Sequence, residues 1–202
     1  MTARELFDHE TSGSWTVSGI DVSWRLGIID DEHLLEFRCT VDAEGWRENL
    51  RFFPRVGIPY KNMKHVWLAH AGFLEMWRSV RDLIAESVAA SAKTDPFPVV
   101  HVVGYSQGGA LAVLAAEDLR FRGYATTLTT FGAPRVFWGI VPREVRMRAV
   151  GTHFHRRGDI VTMVPFSALG YSRFGHTKRI GPFALPWWTH HRPQEYRSYL
   201  PI

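Results

Sequence analysis

The sequence predicts an α/β fold, a mostly parallel central sheet with helices on both faces. Three observations carry this. Apolar runs of strand length alternate with segments of helical periodicity through the middle of the chain. Val99 to Val103 is a short, unbroken apolar run, as a strand buried on both faces of a parallel sheet requires. Phe73 to Ala92 sets Phe73, Met76, Trp77, Val80, Leu83, Ile84 and Val88 at helical spacing, a stripe that has to face a core.

The remaining elements follow in order. Trp15 to Leu26 mixes alternation with β-formers, and Leu34 to Thr40 is a second strand; Ile29-Asp30-Asp31-Glu32 between them suits a hairpin turn. Asp95-Pro96 and Pro98 end the first helix. Gly109 to Arg122 is helical and closed by Gly123. Ala125 to Phe131 and Ala149 to His155 are further strands. Beyond Asp159 the chain is rich in proline, glycine and aromatics and is expected to be largely loop. No repeat or linker divides the chain, so residues 1–202 are expected to form one domain.

Composition excludes several classes. Of the 202 residues 46% are hydrophobic and 22% charged, which suits a globular core and argues against disorder. No run approaches the roughly 20 apolar residues of a membrane span. Met1 to Glu10 carries four charged residues and no apolar run; no signal peptide is visible there, and a cytoplasmic location is the default expectation. Cys39 is the single cysteine, so no internal disulfide forms. No cysteine–histidine spacing suits zinc, and neither a metal nor a cofactor is implied. The net charge is +4, with Arg143, Arg146, Arg148, Arg156 and Arg157 the densest basic group. Without a nucleic-acid-binding motif these are expected to form a solvated face, one that would favour anionic membrane surfaces rather than nucleic acid. Nothing in the composition sets an oligomeric state.

The chemistry centres on Gly104-Tyr105-Ser106-Gln107-Gly108. A Gly-x-Ser-x-Gly match alone arises by chance in on the order of one chain in fifteen of this length. Its context is what specifies it: the motif follows an apolar strand and opens a helix, the setting of a nucleophile elbow. Glycines flanking the serine relieve crowding at a tight strand-to-helix turn. The helix start behind it presents backbone N–H groups and a positive dipole end to a developing oxyanion.

Gly104 to Ala110 resembles the Gly-His-Ser-Leu-Gly-Gly-Ala elbow of class 3 lipases, the fungal-lipase type of α/β hydrolase. Other segments are similar in family order. They are Phe37-Arg38-Cys39-Thr40, Trp46-Arg47-Glu48-Asn49-Leu50, His70-Ala71-Gly72-Phe73, Thr130 to Arg135, and Asp159-Ile160-Val161. The resemblance runs from about Val22 to the C-terminus. Cys39 stands where the family has glycine, and the family's long N-terminal helix has no counterpart. The resemblance implies an α/β-hydrolase-type fold and a serine hydrolase cleaving carboxylic esters, lipid or acylglycerol esters above all, with transient contact at a lipid interface.

A serine hydroxyl needs a base in contact and a carboxylate to orient it. After Ser106, Glu117 and Asp118 are expected to face solvent on the helix. Asp159 follows a strand, at the sheet edge where active sites collect, and the resemblance carries the acid to the same residue. An aspartate beside Gly158 also suits a simple Asx turn. The base must come from His176, His190 or His191. The family pattern, a histidine a few residues before a tyrosine, selects His191 ahead of Tyr196. The backbone N–H of Gln107 is the first expected oxyanion donor, and the resemblance makes Thr40 the second and Trp46 part of a lid. Trp138, Trp187 and Trp188 flank these positions and suit either core packing or an apolar acyl pocket. Two alternatives remain at this point: a cutinase-like esterase, and a non-catalytic binding module on a hydrolase scaffold.

Overall fold

The computed structural model describes residues 2–5, 16–19, 22–29, 32–38, 54–56, 67–92, 98–183 and 190–200. Its strands in chain order are β1 (Thr16–Ser18), β2 (Val22–Ile29), β3 (Glu32–Arg38), β4 (Pro54–Val56), β5 (Leu68–His70) and β6 (Val99–Tyr105). Then come β7 (Ala125–Phe131), β8 (Phe137–Trp138), β9 (Gly151–Arg156), β10 (Tyr171–Ser172) and β11 (Gly175–Ile180). The helices are α1 (Ala71–Ser91), α2 (Gln107–Phe121), α3 (Arg143–Arg148) and α4 (Pro193–Tyr199).

Seven strands make the main sheet, ordered β1-β2-β3-β6-β7-β9-β11. From β3 to β11 every neighbouring pair is parallel; β1 and β2 run antiparallel at one edge. The hairpin expected at residues 29–32 is present, with Ile29 paired to Glu32 across β2 and β3. The segment expected as one strand from Trp15 to Leu26 is instead two, β1 and β2, folded back on each other at Gly19, whose φ is +60°.

Alternation along the central strands divides the core in two. Leu35 and Phe37 of β3 and Val100 and Val102 of β6 pack with α1 and α2 on one face. Leu34, Val103, Tyr105, Phe131 and Phe154 pack on the other with Tyr196 and Leu200 of the C-terminal segment. Helix α2 is buried from Gln107 to Leu119, because the sheet lies on one side of it and α1 and α3 on others. That burial corrects the expectation for two acids. Glu117 and Asp118 are each 1% exposed and are met by arginines: Arg148 from α3 meets Glu117 at 2.7 Å, while Arg81 from α1 and Arg122 at the end of α2 itself meet Asp118 at 3.1 and 3.3 Å. The arginine group read as one solvated face is likewise divided. Arg148 turns in to Glu117, and Arg156 is 3% exposed.

The tail is more regular than its composition suggested. β11 lies in register against β9, and α4 begins at Pro193, where proline's missing N–H has no partner to lose. A second, antiparallel sheet of four strands, β10-β8-β5-β4, has no counterpart in the sequence reading. Its strands are two or three residues long, too short for periodicity to register.

Two buried histidines tie these layers together. The His70 ring caps α1, its Nδ1 accepting from the Phe73 N–H at 3.5 Å, and stacks on the Phe73 ring. His153 of β9 sits between Thr130 Oγ1, 2.7 Å from its Nδ1, and Phe174 O, which accepts from its Nε2 at 2.9 Å. Burial pushes both rings down to about 4. Between pH 6.5 and about 4 the unfolded chain protonates them and the folded chain does not, so the stability present above pH 6.5 is lost as pH falls through that window. The loss expected is roughly 3 kcal/mol per histidine. Denaturant midpoints measured across the same range should fall accordingly, and a flat profile would contradict the neutral, buried placement.

Candidate active site

The serine sits at the turn between β6 and α2. Ser106 has φ 56° and ψ −123°, the one non-glycine at positive φ among the described residues. Such a backbone costs roughly 1–3 kcal/mol and has to be held by its surroundings. The Ser106 N–H donates to Phe131 O at the end of β7 (2.8 Å), and Ser106 O accepts from the N–H groups of Gly109 and Ala110, closing the first turn of α2. The flanking glycines are a steric necessity. A Cβ at Gly104 would lie 2.3 Å from Gly108 O, and one at Gly108 would lie 2.2 Å from Phe37 O. The helix therefore approaches β3 and β6 too closely for any side chain there.

Chain order brings Asp159 and His191 back to this turn. Asp159 caps the short helix at Ile160–Met163 just past β9, and His191 immediately precedes the segment that enters α4. His191 Nε2 is 2.7 Å from Ser106 Oγ, and His191 Nδ1 is 2.8 Å from Asp159 Oδ2. A carboxylate only accepts, so Nδ1 carries the ring proton and Nε2 is left to accept from the serine hydroxyl. Ser106 is 3% and Asp159 1% exposed, while the His191 side chain between them is 24% exposed.

The Asx-turn role weighed for Asp159 coexists with its contact to His191. Oδ1 accepts from the Val161 N–H at 2.9 Å, while Oδ2 accepts from His191 and also from the Tyr196 hydroxyl. Tyr196 in turn accepts from the Arg156 N–H at 3.1 Å. Burial, and then the Asp159 charge, hold the Tyr196 phenol well above its ordinary value, so it stays a donor. The His191 ring is steadied from a third side, by stacking on Tyr105 with ring centroids 5.3 Å apart and by the Tyr105 hydroxyl donating to His191 O. Sequence reasoning assigned no part to Tyr105 or Tyr196. The spacing from His191 to Tyr196 was visible, but only as a pattern.

The other candidates separate clearly. His176 lies exposed on the edge strand β11, and His190 is buried edge-on to Phe183. Gln107 opens α2, placing its N–H in the first turn beside the serine, while its side chain donates to Met76 Sδ at 3.3 Å. Trp138 belongs to β8, its Nε1 donating to Leu169 O at 2.7 Å. Thr40, Cys39, Trp46, Trp187 and Trp188 lie outside the described residues. Among the described residues no three histidine, cysteine, aspartate or glutamate side chains converge as metal ligands.

The profile of the lipase (class 3) family matches residues 34–169, about two thirds of the chain. The chain belongs to the class 3 lipase family. A secreted mono- and diacylglycerol lipase of Fusarium solani is 33% identical over 144 residues, covering 69% of this chain and 41% of that protein. One from Penicillium cyclopium is 33% identical over 105 residues, covering 52% of this chain and 34% of that protein. The triacylglyceride lipase of Rhizomucor miehei superposes with a TM-score of 0.71 at 27% identity, over 83% of this chain and 65% of that one. The fold is thus of the α/β-hydrolase type, and the chain spans about a third to two thirds of the length of these relatives. The cytoplasmic default is corrected here, because the Fusarium and Penicillium relatives are named as secreted. A start without an apolar run carries no information on compartment, and a single cysteine is compatible with either side of a membrane.

Tyr196→Phe keeps the ring and removes the hydroxyl that both donates to Asp159 and satisfies the buried Arg156 N–H. A loss of about 1–3 kcal/mol in unfolding free energy is expected, the cost of an orphaned buried polar group. An unchanged denaturant midpoint would show that the hydroxyl contacts contribute nothing.

Proposed function

We propose that this chain, residues 1–202 acting as one domain, hydrolyses carboxylic esters of lipids, acylglycerols among them, through an acyl-enzyme on Ser106. The single observation that carries this is the unbroken series of contacts from Ser106 Oγ through the His191 ring to the Asp159 carboxylate. The family membership and the lipase names of the relatives support the same chemistry.

In this mechanism Ser106 Oγ attacks the ester carbonyl carbon as His191 Nε2 takes its proton, and Asp159 favours the imidazolium that results. The carbonyl oxygen gathers charge beside the start of α2, where the Gln107 N–H donates; Thr40 is assigned the second donor. Collapse breaks the bond to the alcohol, which leaves with the proton from His191. Water then repeats the sequence on the acyl-enzyme and frees the acid. Trp46 is assigned to a segment covering the site. Contact with a lipid surface is supported by Ile160, Met163, Phe166 and Leu169, exposed along the stretch that follows Asp159.

Ser106→Ala should fold normally and lose turnover by about a millionfold, as removal of a covalent nucleophile does. A fluorophosphonate probe should label the unaltered chain and not this variant. An unlabelled, inactive but folded chain would mark it as a binding module instead. Among histidines, His191→Ala should be inactive while His176→Ala and His190→Ala retain most p-nitrophenyl ester hydrolysis. The reverse outcome would reassign the base.

A further inference from the structure

On the other side of Asp159 the chain has a feature that ester cleavage leaves unused. A cavity of about 840 Å³ opens beside β9 and β11; Asp159 is part of its lining, and Ser106 and His191 are not. Arg135, Arg156, Arg157, Arg173 and Arg179 line it, with His155 among them. Few carboxylates answer these five cations. Asp159 is occupied by His191, Tyr196 and Val161, and Glu195 meets Arg156 at 3.3 Å.

Three of the arginines are held rigidly by backbone carbonyls. Arg135 donates through Nη1 to Met163 O and Pro165 O, Arg173 through Nη2 to Ala133 O and Thr162 O, and Arg156 through Nη1 to Arg157 O and Pro182 O. Their planar forks are thereby fixed before any ligand arrives. Among the described residues one buried donor of the cavity lining has no acceptor: Arg156 Nε, on a residue 3% exposed. Leaving such a group unpaired is costly, and an entering acceptor would relieve it. Arg157 and Arg179 are exposed, and their side chains bond to no described residue.

The field at this wall is strongly positive. Burial, then Arg173, His153, Arg135 and Arg179, push the His155 ring down to about 2. Burial, then Arg135, push Arg173 down to about 10. Burial is the larger cause of both shifts, and the clustered arginine charge that adds to it also attracts an anion.

We propose that this cleft binds a phosphate-class oxyanion, either free phosphate or the phosphate of a lipid head group. A tetrahedral phosphate offers acceptor oxygens in several directions at once, matching guanidinium forks that reach in from β9, β11 and the loops at residues 135 and 173. The cavity exceeds a bare phosphate in size, which leaves room for an ester substituent. The assignment does not rest on the hydrolase mechanism, since none of its donors touches the serine.

The test uses the full chain carrying Ser106→Ala, so that no turnover contributes. Calorimetric titration with inorganic phosphate should give saturable binding. An Arg157→Ala/Arg179→Ala double variant should weaken it by about tenfold for each arginine removed. Because those two side chains hold no described contact, an unchanged melting temperature should show that the double variant folds. In parallel, phosphatidylcholine vesicles with and without phosphatidic acid distinguish the sources. Cosedimentation that requires phosphatidic acid and is lost in the double variant assigns a lipid head group. Phosphate binding without vesicle retention assigns the free anion, and either result upholds the site. No saturable binding to phosphate or to phosphatidic-acid vesicles, or binding that the double variant keeps in full, overturns it.

Discussion

At Ser106 the backbone passes from β6 into α2 within a single residue, and the rest of the structure is arranged around that turn. The conformation is one that a side chain resists. It persists because α2 is clamped at its start by Phe131 O and along its length by the sheet, α1 and α3. The close approach that makes the clamp leaves no space for a Cβ at Gly104 or Gly108. It also places α2 so deep that Glu117 and Asp118 are nearly cut off from water and are met by Arg148 and Arg81 from other helices and by Arg122 at the end of α2. Removing one partner of such a buried pair is far more costly than never having built it.

Asp159 is the second fixed point. Its carboxylate takes donors from three directions, the Val161 N–H, the His191 ring and the Tyr196 hydroxyl, so its orientation is over-determined. That rigidity passes to His191, whose tautomer is set by the carboxylate and whose plane is set by Tyr105. His191 thus lies on a short, nearly irregular stretch of chain and is still as constrained as a residue on a strand.

The arginines around Asp159 serve a mixed purpose. Arg135, Arg156 and Arg173 replace the regular hydrogen bonds that loops lack, each guanidinium reaching at least one carbonyl distant from it in sequence. Arginine does this where lysine would not, because its fork presents several donors in one plane. The same economy concentrates positive charge in one cleft, and carboxylates do not fully offset it.

Strand and helix order, the elbow, and Ser106 and Asp159 as candidates were legible in the sequence, because each leaves a local signature. Those signatures are an apolar run of strand length, a helical stripe, a pair of glycines about a serine, and an acid after a strand. His191 was legible only through its spacing to Tyr196. The four-stranded second sheet, β11, the burial of Glu117 and Asp118, and the parts played by Tyr105 and Tyr196 were decided by tertiary structure alone. Periodicity reports how one segment alternates between core and solvent, and strands of two or three residues are too short to show it. Whether an acid is buried or a tyrosine hydroxyl finds a carboxylate depends on what a distant segment brings to it. Arg148 reaching Glu117 and Tyr196 reaching Asp159 are contacts between residues more than thirty positions apart, and no local pattern encodes them.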